Sequence, residues 1–243
     1  MVILSRKQRE IQDREVQILQ LARPILLREG YQALSMERLA SQMEYAKGTL
    51  YNHFPNKEEI VLALALESME LRARMFDAAA TSSPHSRERL LCVGAACELY
   101  TNECADHFAI EEWIRNSTIW EKSSQQRQDL IRQCEGRCMA IVAGIVRDAV
   151  ARRDLELRNG LTAEEMIFGF WSINYGSQVL AATSPSLASL GVANAPHAIR
   201  HHCYTLLNGF GWQPITNFQE HTALMDKFGS MLREQFQSAL TIR

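Results

Sequence analysis

Between Ser35 and Lys57 the chain gathers side chains suited to hydrogen-bonding an anionic polymer. Hydroxyls stand at Ser35, Tyr45, Thr49 and Tyr51, an amide at Asn52 and bases at Lys47, His53 and Lys57, with no side chain at Gly48. Such groups can donate to phosphate oxygens or touch base edges, and a glycine lets the backbone come close. At about 100° per residue, Ala46, Leu50 and Phe54 fall on one side of a helix and Tyr45, Gly48 and Asn52 on the other, with Thr49 and Tyr51 on the flanks. The spacing predicts a short helix with Ala46, Leu50 and Phe54 facing the core and a polar face outward. The same pattern also suits an ordinary three-helix packing unit whose polar face meets only water.

Other clusters suggest different chemistry. Six cysteines (Cys92, Cys97, Cys104, Cys134, Cys138, Cys203) sit in periodic apolar segments without a CxxC pair, and read as free, buried thiols. Cys104, His107 and Glu111 share roughly one helix face, Cys134 and Cys138 are four apart, and His201, His202 and Cys203 are adjacent. A zinc site needs four convergent ligands, which spacing alone does not establish, so a metal- or thiol-redox-responsive body stays an alternative. A ferritin-like enzyme or metal carrier would need paired Glu-x-x-His motifs, and none occurs. Nor is there a nucleophile elbow, a phosphate-binding glycine loop or an HExxH. The expectation is a non-enzyme without a cofactor.

Composition bounds the rest. The 243 residues are 47% hydrophobic and 22% charged, which is ordinary for a globular chain. The longest apolar stretches, 60–66 and 139–146, fall short of the roughly 18 residues of a membrane span, so no membrane partner is expected. Met1 to Leu4 are apolar and precede Arg6, Lys7 and Arg9, the reverse of a secretory signal, which predicts a cytoplasmic protein. Residues 1–55 carry +2 and the remainder −4, an asymmetry too weak to decide nucleic-acid binding.

The elements that must position these residues are helical. Apolar residues recur at three- and four-residue steps and strand-like alternation is nearly absent, so the expected fold class is all-α. The first helix is expected over 13–29, stopping at Gly30; Ser35 should cap a second that ends near Gln42; a third should cover 46–53. Asn56 to Glu59 form a capping box for a fourth helix towards Phe76. After a turn-rich break at 81–84, helices are expected at 87–104, 106–116, 125–153, 163–182, 197–210 and 218–239, with a second capping box from Thr162 to Glu165 and a loop over 184–196. The division that follows is a helix-turn-helix domain over 1–60, with an N-terminal arm, and a helical effector-binding and dimerisation domain over 61–243.

The string from Ser35 to Glu59, above all Lys47-Gly-Thr-Leu-Tyr-Asn-His-Phe54 followed by Asn56-Lys57-Glu58, closely resembles the DNA-binding segment of TetR/AcrR-family transcriptional regulators. The resemblance implies a homodimeric regulator, most often a repressor, that reads a palindromic operator in double-stranded DNA. A small effector, here of hydrophobic or aromatic character, would release it. Carried over residue by residue, Tyr45 and Thr49 match positions that approach bases, and Tyr51, His53 and Lys57 match phosphate contacts. Ser35 matches the phosphate-bonding start of the second helix, and Ala46, Lys47, Gly48 and Asn52 complete the DNA-facing set. The turn departs from the family pattern of glycine followed by Val-Ser: it reads Glu44-Tyr45-Ala46, which removes a hydroxyl at Ala46 and adds a carboxylate that repels phosphate. The basic arm of Arg6, Lys7, Arg9 and Arg14 could track the backbone or enter a minor groove, or could be a frayed tail.

In the body, Trp113, Trp120, Phe168, Trp171 and Tyr175 are the effector-pocket candidates, with core packing as the other reading. Glu111, Glu112, Arg115, Asn116 and Asn174 could orient a ligand. Small residues at Gly169, Ser172 and Gly176, with Tyr204 and Leu207 on the next helix, are the dimer-interface candidates. Segment 218–239 should cover the body or extend the interface. An effector-free regulator with a protein partner is a further alternative.

Overall fold

The computed structural model of the chain describes residues 5–115, 117–184 and 186–240. Met1 to Leu4, on which the targeting argument rested, and Asn116 lie outside the described residues. Every long element is an α-helix and no strand occurs among the described residues. The helices are α1 (Arg6–Glu29), α2 (Met36–Gln42), α3 (Lys47–Tyr51), α4 (Lys57–Ala80), α5 (Ser86–Glu103), α6 (Ala105–Trp113), α7 (Ser117–Glu121), α8 (Gln125–Ala151), α9 (Ala163–Thr183), α10 (Ala195–Gly209) and α11 (Phe218–Leu240). Two compact units form: Met1–Glu70 with Ala105–Cys134, and Leu71–Cys104 with Glu135–Arg243.

In the first unit α1 begins well before the expected Asp13. Ser5 Oγ accepts the Gln8 N–H at 3.3 Å while Gln8 Oε1 accepts the Ser5 N–H at 2.8 Å, a capping box that apolar periodicity overlooks because these first turns are polar all round. α1 ends at Gly30, whose φ of 84° few other residues adopt. α2 follows its predicted bounds. The turn after it places Glu44 at φ 54°, where a side chain costs about 1 kcal/mol, a physical reason for glycine at this position in the family pattern. α3 is shorter than expected. Ala46 is its N-cap and is exposed, which corrects its expected place in the core, whereas Leu50 and Phe54 are buried with Ile18, Leu26, Leu34 and Leu39. The Phe54 and His53 amides both bond the Leu50 carbonyl at 3.0 Å, so the chain leaves α3 as a tight turn into Pro55.

The second unit packs α5 along α11. A side chain at Gly94 would meet the Met225 methyl at 3.4 Å, so the two helices approach closely there. Met225, Phe228 and Leu232 are buried, each stabilising by about 1.5–3 kcal/mol. At the edges of this contact Arg200 of α10 bonds Glu98 at 2.8 and 2.9 Å and Asp226 at 2.8 Å, and Arg233 bonds Glu103 at 2.6 Å. α11 thus covers its own unit, one of its two expected roles. The Thr162–Glu165 capping box forms with both arms, at 2.8 and 3.1 Å, and starts α9.

Candidate nucleic-acid interface

α2, the turn and α3 make a helix-turn-helix, with α3 as the candidate reading helix. Lys47, Gly48, Tyr51 and Asn52 are exposed along it and Thr49 is half-buried. Tyr51 is 43% exposed, unusual for a large ring. Tyr45 is half-buried, its hydroxyl 3.4 Å from Gln17 Oε1 on α1. Lys47 Nζ lies 3.3 Å from Glu37 on α2, a pair exposed on both sides, so phosphate can compete for the ammonium. Lys47 and a backbone hydrogen bond hold the Glu37 carboxyl below its ordinary range, the backbone bond more strongly.

Ser35 caps α2, its Oγ accepting the Arg38 N–H at 3.1 Å. That bond uses a lone pair and leaves the hydroxyl proton to donate outward, so one side chain can both cap and meet a phosphate. Ser35→Asp separates the roles. A carboxylate caps as well as a hydroxyl, so thermal stability should stay within a few tenths of a kcal/mol. Operator affinity should fall about tenfold, because the new charge faces phosphate. Equal affinity of wild type and variant in a DNA titration would remove Ser35 from the interface.

Two candidates are presented differently from expectation. The His53 side chain is only 6% exposed and turned inward, Nδ1 3.7 Å from Glu15 Oε1, so it does not offer its ring to solvent. Lys57, at the start of α4, donates to the Tyr31 carbonyl at 3.0 Å and lies over the Tyr31 ring at 3.9 Å. As placed, it pins the loop between α1 and α2. The basic arm is also changed: Arg6, Lys7, Arg9 and Arg14 belong to α1, and Arg6 pairs with Glu10 at 2.9 Å. In a continuous helix they present charge on its surface, not as an extended arm threading a minor groove.

The residues that brace this head were not read from the sequence. Glu58 and Glu59, in the first turn of α4, are buried. Glu58 accepts the Tyr31 hydroxyl at 2.5 Å and lies 3.8 Å from Lys122. Burial, and next the Glu58 carboxylate, push the Tyr31 phenol well above its ordinary pKa. Glu59 takes the Ser124 N–H at 2.5 Å and Arg127 Nε at 3.3 Å, while Asn56 caps the Glu59 amide at 2.9 Å and donates to the Lys122 carbonyl at 3.0 Å. Only one arm of the expected Asn56–Glu59 box therefore forms, because the carboxylate is drawn to the start of α8. Trp113 packs on the Tyr31 ring at 6.1 Å and Arg132 covers Trp120 at 5.2 Å. Both tryptophans, nominated for a pocket, lie in the first unit.

The remaining pocket candidates form a surface stripe. Phe168 is 59% and Trp171 42% exposed, with Tyr175 half-buried beyond them, and successive ring centroids are 6.3 and 6.4 Å apart. At that exposure Phe168 and Trp171 face solvent along the helix surface as placed. Gly169 and Ser172 are exposed and Gly176 half-buried on the same helix. Leu207 is 2% exposed and so is spent on its own core, which takes it out of the interface set. Tyr204 is half-buried among His201, Phe218 and His221. Asn174 donates to the Phe170 carbonyl at 2.9 Å, Glu112 pairs with Arg115 at 3.6 Å, and Glu111 is buried. Among the described residues no three His, Cys, Asp or Glu side chains are grouped to hold a metal ion. Burial pushes the thiols of Cys92, Cys104 and Cys203 up to about 11, away from the thiolate that redox sensing needs.

Residues 18–64 match the family model of bacterial regulatory proteins, tetR family. The fatty acid metabolism regulator protein of Bacillus subtilis is 24% identical over 193 residues, spanning 73% of this chain and 93% of that protein. The HTH-type transcriptional regulator UidR of Escherichia coli is 32% identical over 68 residues, 28% of this chain and 35% of UidR. A solved tetR-family regulatory protein from Rhodococcus RHA1 superposes with a TM-score of 0.61 at 15% identity, over 82% of this chain and 97% of that one. At that identity the likeness concerns the fold.

Proposed function

We propose, from the match of residues 18–64 to the tetR family of bacterial regulatory proteins, that the chain is a member of that family and acts not as an enzyme but as a homodimeric, ligand-responsive repressor of a palindromic operator. Residues 1–60 read the DNA, residues 61–243 receive the effector and dimerise, and the protein works in the cytoplasm. The observation that carries this reading is the outward polar face of α3, where Lys47, Gly48, Tyr51 and Asn52 are exposed while Leu50 and Phe54 are buried. A helix fixed by its apolar side and free on its polar side can enter a major groove without unfolding anything. Ser35, Tyr45, Ala46 and Thr49 border that face; His53 and Lys57 serve by positioning it. The modest charge of this segment favours binding through two half-sites held together by a dimer.

The exposed aromatic stripe of α9 supports dimerisation: Phe168 and Trp171 share one face, with the small Ser172 beside them, and suit a second copy. Release then works by population shift, an effector binding better to the arrangement whose heads no longer match both half-sites. The test is selection of genomic DNA fragments by the purified full chain. A shared palindrome with half-sites about one helical turn apart is expected. Failure of a folded chain to enrich any fragment at low salt would overturn the reading.

A further inference from the structure

The second unit contains a buried cation that meets no counter-ion among the described residues. Arg87, in the first turn of α5, is 1% exposed. Its Nη1 donates to the Trp212 carbonyl at 2.5 Å, and its Nη2 donates to Asn208 Oδ1 at 2.5 Å with Thr216 Oγ1 at 3.4 Å. All three acceptors are neutral, and Nε is buried with no partner. Carboxylates on the surrounding elements are engaged elsewhere: Glu98 and Asp226 with Arg200, Asp148 with Arg89, Asp154 with Ser86, Glu220 with the Asn217 amide. A buried guanidinium facing only neutral dipoles is costly unless an anion completes it.

A second orphan lies against Tyr204, one turn along α10 from Asn208. His221, in the first turn of α11, is 1% exposed, and neither ring nitrogen has a hydrogen-bond partner. Its imidazole packs against the Tyr204 ring at 5.5 Å and stacks on Phe218 at 6.2 Å. Burial first, then the fields of Arg87 and Arg200, lower its pKa to about 4, so at neutral pH it is an uncharged ring with an unused N–H and an unused lone pair. Arg87 reaches its acceptors in the segment 208–216, whose Gln213, Pro214 and Ile215 are exposed, so the guanidinium lies one layer below the surface.

We infer that Arg87 and His221 form an anion-recognition point for a small organic carboxylate, with the Tyr204 and Phe218 rings as its apolar flank. One carboxylate oxygen accepts from Arg87 and the other from the His221 N–H, which neutralises the buried charge and satisfies both orphans. This deepens the effector reading above and rests on it, naming the class of effector.

The test uses the full chain without DNA and benzoate as the probe, followed by calorimetry, with benzamide and sodium chloride as controls. Benzoate should bind saturably, one per chain, at concentrations up to about 20 mM, where even one charge-assisted contact registers. Benzamide, the same shape without charge, should give no saturable heat. Asn208→Asp puts a carboxylate where Arg87 already donates, and should weaken benzoate at least about tenfold while leaving the melting temperature unchanged or higher. His221→Phe keeps the aromatic stack and removes the nitrogens, and should weaken benzoate by about tenfold too, so either variant decides the matter if the other misfolds. Undiminished affinity in a folded variant, equal binding of benzamide, or no saturable binding by wild type would overturn the proposal. Operator binding by the same samples is read separately, so loss of the carboxylate site and loss of the regulator reading remain distinct results.

Discussion

A chain carrying Thr49→Ala and Tyr51→Ala should bind its selected operator at least about 100-fold more weakly than wild type, with thermal stability nearly unchanged. Each side chain removed from a base edge or phosphate costs about 1–3 kcal/mol, every 1.4 kcal/mol is tenfold, and a dimer loses each contact twice. Tyr51 is 43% exposed and Thr49 half-buried on α3, and the residues that hold the helix, Leu50 and Phe54, are untouched. Surface substitutions of this kind change stability by about 0.5 kcal/mol or less. The double variant removes no Lys or Arg, so the salt dependence of its remaining, non-specific binding should match that of wild type. Fluorescence anisotropy over a salt series, beside a thermal melt, separates the outcomes. Unchanged affinity would mean that this face of α3 does not read DNA. A steep loss of melting temperature would mean that the two residues support the fold.

The second large effect is expected at α9. Phe168→Asp with Trp171→Asp should convert a dimer into monomers at micromolar concentration, weakening self-association by about 1000-fold or more. Each aromatic side chain can bury about 150–250 Å², worth several kcal/mol per pair at about 25 cal/mol per Å², and aspartates placed there would be desolvated against each other. Both rings are exposed in the single chain, so their loss should not unfold it. Sedimentation gives the oligomeric state directly. The monomer should also lose most operator affinity, because a half-site held alone contributes only half of the contacts. A variant that stays dimeric would move the interface off α9; a wild-type chain that is monomeric would end the homodimer reading.

These two predictions draw on different kinds of information. The candidate reading helix was legible in the chain itself. Its polar groups lie within a few turns of one another, and the Leu50–Phe54 spacing orients α3 without reference to anything distant. All the described helices but the short α7, most of their boundaries and the Thr162 capping box were legible for the same reason, since caps and apolar periodicity are local. The exceptions were local features with weak hydrophobic signal: the polar first turns of α1, and Ala46, too close to the helix start to be turned inward.

What periodicity leaves open is which apolar face meets which partner. Phe168, Trp171 and Tyr175 recur at helical steps whether they line a cavity, fill a core or face solvent, and only the packed chain puts them outside. Leu207 and Phe168 look alike as letters, yet one is enclosed by its own unit and the other is bare. The same holds for charge. Glu59 reads as the second arm of a cap, but its carboxylate turns to Ser124 and Arg127, and Arg87, which nothing in the residue string singles out, is enclosed by Asn208, Trp212 and Thr216. Short-range order is set by backbone dihedrals and neighbours a turn away, which the residue string specifies directly. Burial, the pairing of distant charges and the orphaned groups at Arg87 and His221 arise from segments far apart in the chain, and those meet only once the helices have packed.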